Sequence, residues 1–191
     1  LLELTSHHTF SILEMGANRT GDIEYLSNLS LPRYGLITNI ARAHLQSFGS
    51  IEEIARTKGE LFASLPEKGT AFINMDDNYI PELDTPAKKV TYGFNPDCDF
   101  AADLHRDNDG LLTIIINGEE ITLNSCDESF AKNSLAAATV SITQGISWEL
   151  LQESILTIQP TKGRCEVTTR DGITLIDDCY NANLASAIAA V

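Results

Sequence analysis

Glu14, His44 and Lys58 are the residues of this chain whose types and positions could do chemistry together. Glu14 interrupts a short apolar run, Ser11-Ile12-Leu13-Glu14-Met15-Gly16, which reads as a buried strand ended by glycine. His44 comes four residues after a second apolar run, Tyr34 to Ile40, also read as a buried strand. Ligands of open parallel sheets bind beyond the carboxyl ends of the strands, and Glu14 and His44 both stand there. Lys58 falls on the apolar face of the next helix, an unusual position for an ammonium group. Together the three point to one metal-binding locus. Each also has a plainer reading: a solvated rim acid, a hydrogen-bonded loop imidazole, and a lysine that snorkels its charge out of the apolar face.

Lys58 has a further chemical option. A buried amine has a depressed pKa, and a neutral amine adds CO₂ to give a carbamate. That product is an oxygen-rich anion, a hard ligand of the kind Mg²⁺ prefers.

The elements that must position these groups follow from the pattern. Ile23, Leu26 and Leu29, spaced by three and followed by Pro32, predict a short helix from Gly21 to Ser30. Ser50 and Glu53 have capping-box spacing. Ile51, Ile54, Ala55, Lys58, Leu61, Phe62 and Leu65 share one helical face, and Pro66 and Gly69 stop the helix. Strands are expected at Thr70 to Asn74 and Lys89 to Phe94. Strands with both faces apolar, alternating with helices, predict a mostly parallel sheet flanked by helices, an α/β fold. The pattern then changes. Phe100 to His105, Leu111 to Ile116 and Glu120 to Leu123 are joined by Asp109-Gly110 and Asn117-Gly118, which predicts an added antiparallel meander. Helices are expected over Ala131–Ile146 and Trp148–Ile158. A linker follows at Thr161-Lys162-Gly163, then a hairpin across Asp171-Gly172 and a last helix from Leu184. The expected division is 1–160 and 161–191, and the second stretch is too short to bury its own core.

Composition narrows the partners. The 13 basic and 27 acidic residues give a formal charge of −14, which repels a phosphate backbone and argues against nucleic acid. No run approaches the length of a membrane span, and no export signal is visible. Cys98, Cys126, Cys165 and Cys179 lack zinc spacing and read as reduced thiols of a cytoplasmic protein.

Several stretches resemble the Mur ligase family, in the same order along the chain. These are Glu14-Met15-Gly16-Ala17-Asn18; Ala43-His44-Leu45 through Phe48-Gly49-Ser50; Lys58-Gly59-Glu60; Asn74-Met75-Asp76-Asp77; Asn133-Ser134-Leu135-Ala136-Ala137; Gly163-Arg164; and Asp177-Asp178-Cys179-Tyr180-Asn181-Ala182-Asn183. The last is most like the branch that adds D-alanyl-D-alanine to the peptidoglycan precursor. The resemblance implies a P-loop-like central domain with the start of a C-terminal domain. It implies an ATP-dependent amide ligase that joins D-Ala-D-Ala to UDP-MurNAc-tripeptide through an acyl phosphate. By the same resemblance Glu14 and His44 bind Mg²⁺ and Lys58 is carbamylated and supports a second Mg²⁺. Asn133 meets adenine, Arg164 and Asp178 touch phosphate and ribose, and Asn74 joins the nucleotide-side residues without an assigned contact.

Two departures bear on this. No Gly-x-x-x-x-Gly-Lys-Ser/Thr occurs in the 191 residues, so the chain is expected to be a fragment that is inactive alone. Ser129 and Phe130 stand where the family has His-Asn, which bears on adenine binding. The competing readings are a sister Mur or folylpolyglutamate-synthase-like ligase, and a non-catalytic domain that keeps the fold.

Overall fold

Gly35 shows why the first strand and the main helix approach each other closely. A β-carbon on it would lie 3.0 Å from Leu65 Cδ1 and 3.3 Å from Leu61 Cγ. In the computed structural model, which describes residues 3–41, 48–108, 110–125, 127–158, 166–170, 172–177 and 179, this contact joins β1 (Tyr34–Leu36) to α2 (Ile51–Ala63). The preceding helix, α1 (Asp22–Ser30), packs on α2. β2 (Thr70–Asn74) and β3 (Lys88–Gly93) complete the parallel part. Tyr34 stands beside Thr70 in β1–β2, and Thr70 beside Lys88 in β2–β3. Ile37, Ile54, Phe62, Leu65 and Ile73 form the core there, with Phe62 fully buried.

β4 (Phe100–Arg106) pairs β3 in parallel, Tyr92 beside Phe100 and Gly93 beside Ala101. It starts beside the end of β3 and never returns to its beginning. The short link from 94 to 99 therefore suffices where a full parallel overlap needs a long crossover. The chain divides into two compact units, Leu1–Asp103 and Leu104–Val191, so β4 runs from one into the other. The strand order is β1-β2-β3-β4-β5-β6.

In the second unit β5 (Leu112–Ile116) and β6 (Glu119–Thr122) are antiparallel, Ile114 beside Ile121. Leu112, Ile114 and Ile116 are buried in alternation, the mark of a sheet covered on one face. The cover is α3 (Glu128–Thr143), which packs on β5, and α4 (Trp148–Thr157), which packs on β6. β7 (Glu166–Arg170) and β8 (Ile173–Asp177) form the expected hairpin, with Glu166 beside Asp177. Residues 159–165, where the boundary near residue 160 is expected, lie outside the described residues, and so does the stretch from Leu184 expected to be helical.

Three expectations need correction. Residues 11–16 form no strand, and Ile12 is 96% exposed. An apolar run becomes a strand only when a neighbouring ladder takes its backbone groups, and among the described residues β1 pairs β2 alone. The second strand ends at Leu36 rather than Ile40, because side chains take over the backbone bonds of residues 38–40. The capping box is half formed. Ser50 Oγ accepts from the Glu53 amide at 3.2 Å, but the Glu53 carboxylate accepts from Arg56 and Thr20 instead.

Candidate functional site

The peptide units just beyond β1 are held one after another by polar side chains. Asn74, the last residue of β2, donates from Nδ2 to the Thr38 carbonyl at 2.8 Å. Lys58 reaches from α2 and donates from Nζ to the Asn39 carbonyl at 2.6 Å. Asp77 accepts from the Ile40 amide at 2.7 Å, and its other oxygen accepts from the Tyr79 and Ile80 amides at 2.8 and 3.1 Å. Asp77 thereby also starts the 3₁₀ turn Ile80–Glu82.

Lys58 follows the snorkelling reading. It is half-buried, with its stem against the apolar face and its head on a carbonyl. Burial pushes its pKa below the ordinary lysine value, and the Asp77 carboxylate opposes that shift. Sequence pattern alone does not single out Asp77 as a residue that holds this exit. Its place beside Asn74 in the Asn74-Met75-Asp76-Asp77 stretch was the available signal.

Glu14 is exposed, on the irregular segment before α1. Ser27 on α1 donates to Met15 Sδ at 3.9 Å, which ties that segment down. Asp22 accepts from the Asn18 and Arg19 amides at 3.0 and 3.1 Å. These bonds, the Asn18 amide foremost, hold its carboxyl below the usual range. Thr20 donates to Glu53, and Arg56 holds the Glu53 carboxyl low as well. An open cavity of about 440 Å³ lies between this loop and the start of α2, lined by Arg19, Thr20, Phe48, Gly49, Ser50 and Glu53. Its lining includes neither Glu14 nor Lys58.

The Mur ligase middle-domain model matches residues 1–141. The chain belongs to the Mur ligase family. Over its whole length it is 34% identical to the UDP-N-acetylmuramoyl-tripeptide–D-alanyl-D-alanine ligase of Synechocystis, and it spans 41% of that protein. Against the crystal structure of MurF from Acinetobacter baumannii the TM-score is 0.88 at 26% identity, covering 98% of this chain and 43% of that one. MurF from Thermotoga maritima, solved with ADP, shares the fold with a TM-score of 0.76 at 24% identity, covering 92% and 43%. The chain thus spans under half the length of these relatives.

Of the candidate Mur ligase residues, the structure brings Lys58 and Asn74 to neighbouring carbonyls. Asn133 is exposed on α3, in the second unit. The replaced Ser129 and Phe130 lie in the first turn of that helix, which Asp127 caps by accepting from the Ser129 amide at 2.8 Å. His44, Arg164 and Asp178 lie outside the described residues. For Mg²⁺, a hard cation that takes oxygen donors, Glu14 offers an exposed carboxylate. Lys58 offers no lone pair as an ammonium and two oxygens as a carbamate, so the donor set fits the ion only with that modification. Among the described residues no cluster of three His, Cys, Asp or Glu side chains could hold a metal. No helix there is long and apolar enough to cross a membrane.

Proposed function

We propose that the whole protein is a cytoplasmic, ATP-dependent amide ligase that joins D-alanyl-D-alanine to UDP-MurNAc-tripeptide. One observation carries this: the match over the whole of this chain, and under half of theirs, to proteins named for that reaction, in a chain whose family is the Mur ligases. ADP in a protein of the same fold supports a nucleotide substrate. On this reading residues 1–160 are the central domain and 161–191 begin the C-terminal domain.

The chemistry has two steps. The tripeptide carboxylate takes the terminal phosphoryl group of ATP, giving an acyl phosphate and ADP. The amine of D-Ala-D-Ala then attacks the acyl carbon, the C–O bond to phosphate breaks, and the amine gives up a proton. Bound Mg²⁺ would neutralise charge on the phosphates. Glu14 and His44 would hold one ion, and carbamylated Lys58 would support a second. Asn133 would meet adenine, and Arg164 and Asp178 the phosphate and ribose, with Asn74 on the same side. Excluding water from the acyl phosphate is the remaining demand on the protein.

The test is ligation by the whole protein with ATP, UDP-MurNAc-tripeptide and D-Ala-D-Ala. Lys58→Ala should abolish product, and a short added carboxylate should partly restore it. Full activity in Lys58→Ala would remove Lys58 from the mechanism. Absence of product from the unaltered protein, with all three substrates present, would overturn the reading itself.

A further inference from the structure

Thr38 and Asn39 are exposed, so water is available to their carbonyls. Yet Asn74 and Lys58 both commit side chains to those carbonyls, at 2.8 and 2.6 Å. A hydrogen bond that only replaces one to water adds little net stability. What such bonds supply is position. Asn74 and Asp77 are both two-ended. Asn74 Oδ1 accepts from the Asp76 amide at 3.0 Å while Nδ2 holds Thr38. Asp77 Oδ1 holds the turn at 79–80 while Oδ2 holds the Ile40 amide. The turn after β2 is thereby locked to the exit of β1, and Ile37 and Ile40, each 6% exposed, anchor that exit in the core.

We infer that Asp77, together with Asn74, is a positioning residue of the ligase: it fixes the exit of β1, which holds the Lys58 amine. The inference rests on the function proposed above. Its chemistry is addition of CO₂ to the neutral amine. The Nζ–C bond forms, one C–O π bond opens, and a proton passes to water. The carbamate keeps one N–H, which can stay on the Asn39 carbonyl and so turn the new carboxylate away from it.

The test is Asp77→Asn in the whole protein. A carboxamide has one acceptor and one donor, so it can serve the 79–80 turn or the Ile40 amide but not both. Asparagine is a good cap, so a purely structural Asp77 would tolerate the change. The positioning role predicts a thermal midpoint close to wild type and KM for D-Ala-D-Ala within about twofold. It also predicts kcat lower by about tenfold or more and faster hydrogen exchange at the Ile40 amide. Asp76→Asn is the control. Its carboxylate holds the Phe94 amide rather than the β1 exit, and it should leave kcat and the Ile40 exchange rate unchanged. Should Asp77→Asn fail to fold, Asn74→Asp applies the same test by facing the Thr38 carbonyl with an acceptor. Wild-type kcat and wild-type exchange at the Ile40 amide in the folded variant would overturn the inference. If the unaltered protein does not ligate, the proposed function fails, and the exchange measurement still decides whether Asp77 fixes the exit of β1.

Discussion

Glu60 and Gly21, 39 residues apart, share a hydrogen bond of 2.8 Å in which the α2 carboxylate accepts from the backbone amide that opens α1. The second oxygen of Glu60 accepts from the Glu24 amide at 3.0 Å. Gly21 has no side chain to cap α1, so the cap is supplied by the neighbouring helix. The negative group also meets the positive end of the α1 dipole. Glu60→Ala should destabilise the 191-residue chain by about 1–2 kcal/mol, and Glu60→Gln, which keeps an acceptor, by less. Urea midpoints of the three proteins measure this, and equal midpoints would mean that the cap contributes nothing.

Gly35 gives the second prediction. Its missing β-carbon lets α2 pack closely on β1, and a methyl there would also meet Phe62 Cδ1 at 3.4 Å. Phe62 is fully buried and Leu65 2% exposed, so neither can move aside freely. Gly35→Ala should cost about 1–3 kcal/mol by overpacking, even though alanine is ordinarily the better residue for chain entropy. A variant as stable as wild type in urea would show that the interface yields.

Asp127 tests the altered stretch before Asn133. Its carboxylate accepts from the Ser129 amide at 2.8 Å and ends the loop by starting α3. Asp127→Ala should lower stability by about 1 kcal/mol, while Asp127→Asn should stay within a few tenths. Chemical denaturation followed by helical circular dichroism reads both. A harmless Asp127→Ala would mean that α3 is held by packing alone.

The parallel strands and α2 were legible in the sequence because their signals are local. Thr70 to Asn74 is apolar without alternation and buried on both faces, and Ser50 starts and caps the helix where its spacing says. Local pattern failed where the answer depended on a distant partner. Ile12 and Leu13 have strand composition, but composition does not say whether a ladder is present beside them. Tyr34 to Ile40 was read as one strand because its apolar spacing continues. The bonds that end it at Leu36 come from Lys58, Asn74 and Asp77, up to 37 residues away. The same reason hid Asp77 and Glu60: each is an ordinary surface acid until the second element it touches is known. Lys58 was noticed because an ammonium on an apolar face is a local anomaly.

Tyr92 carries the last prediction. It is 2% exposed at the end of β3, and its hydroxyl is buried without a hydrogen-bond partner among the described residues. An unsatisfied buried hydroxyl is a net cost, so Tyr92→Phe should stabilise the chain by about 1 kcal/mol at neutral pH. Burial, reinforced by the nearby Asp76 and Asp77 carboxylates, raises the Tyr92 pKa well above its ordinary 10.0. The fold therefore keeps a proton that the unfolded chain releases. The sign follows from linkage: the contribution is constant below pH 10.0 and is lost as pH climbs above it, because unfolding then frees a proton. Phenylalanine cannot titrate, so the advantage of Tyr92→Phe should hold steady up to that pH and widen beyond it, while every other titrating group cancels between the two proteins. Paired urea melts on either side of pH 10.0 make the comparison. A difference that narrowed in alkali would mean that the phenol ionises more readily inside the fold than outside it, and that its hydroxyl has a partner after all.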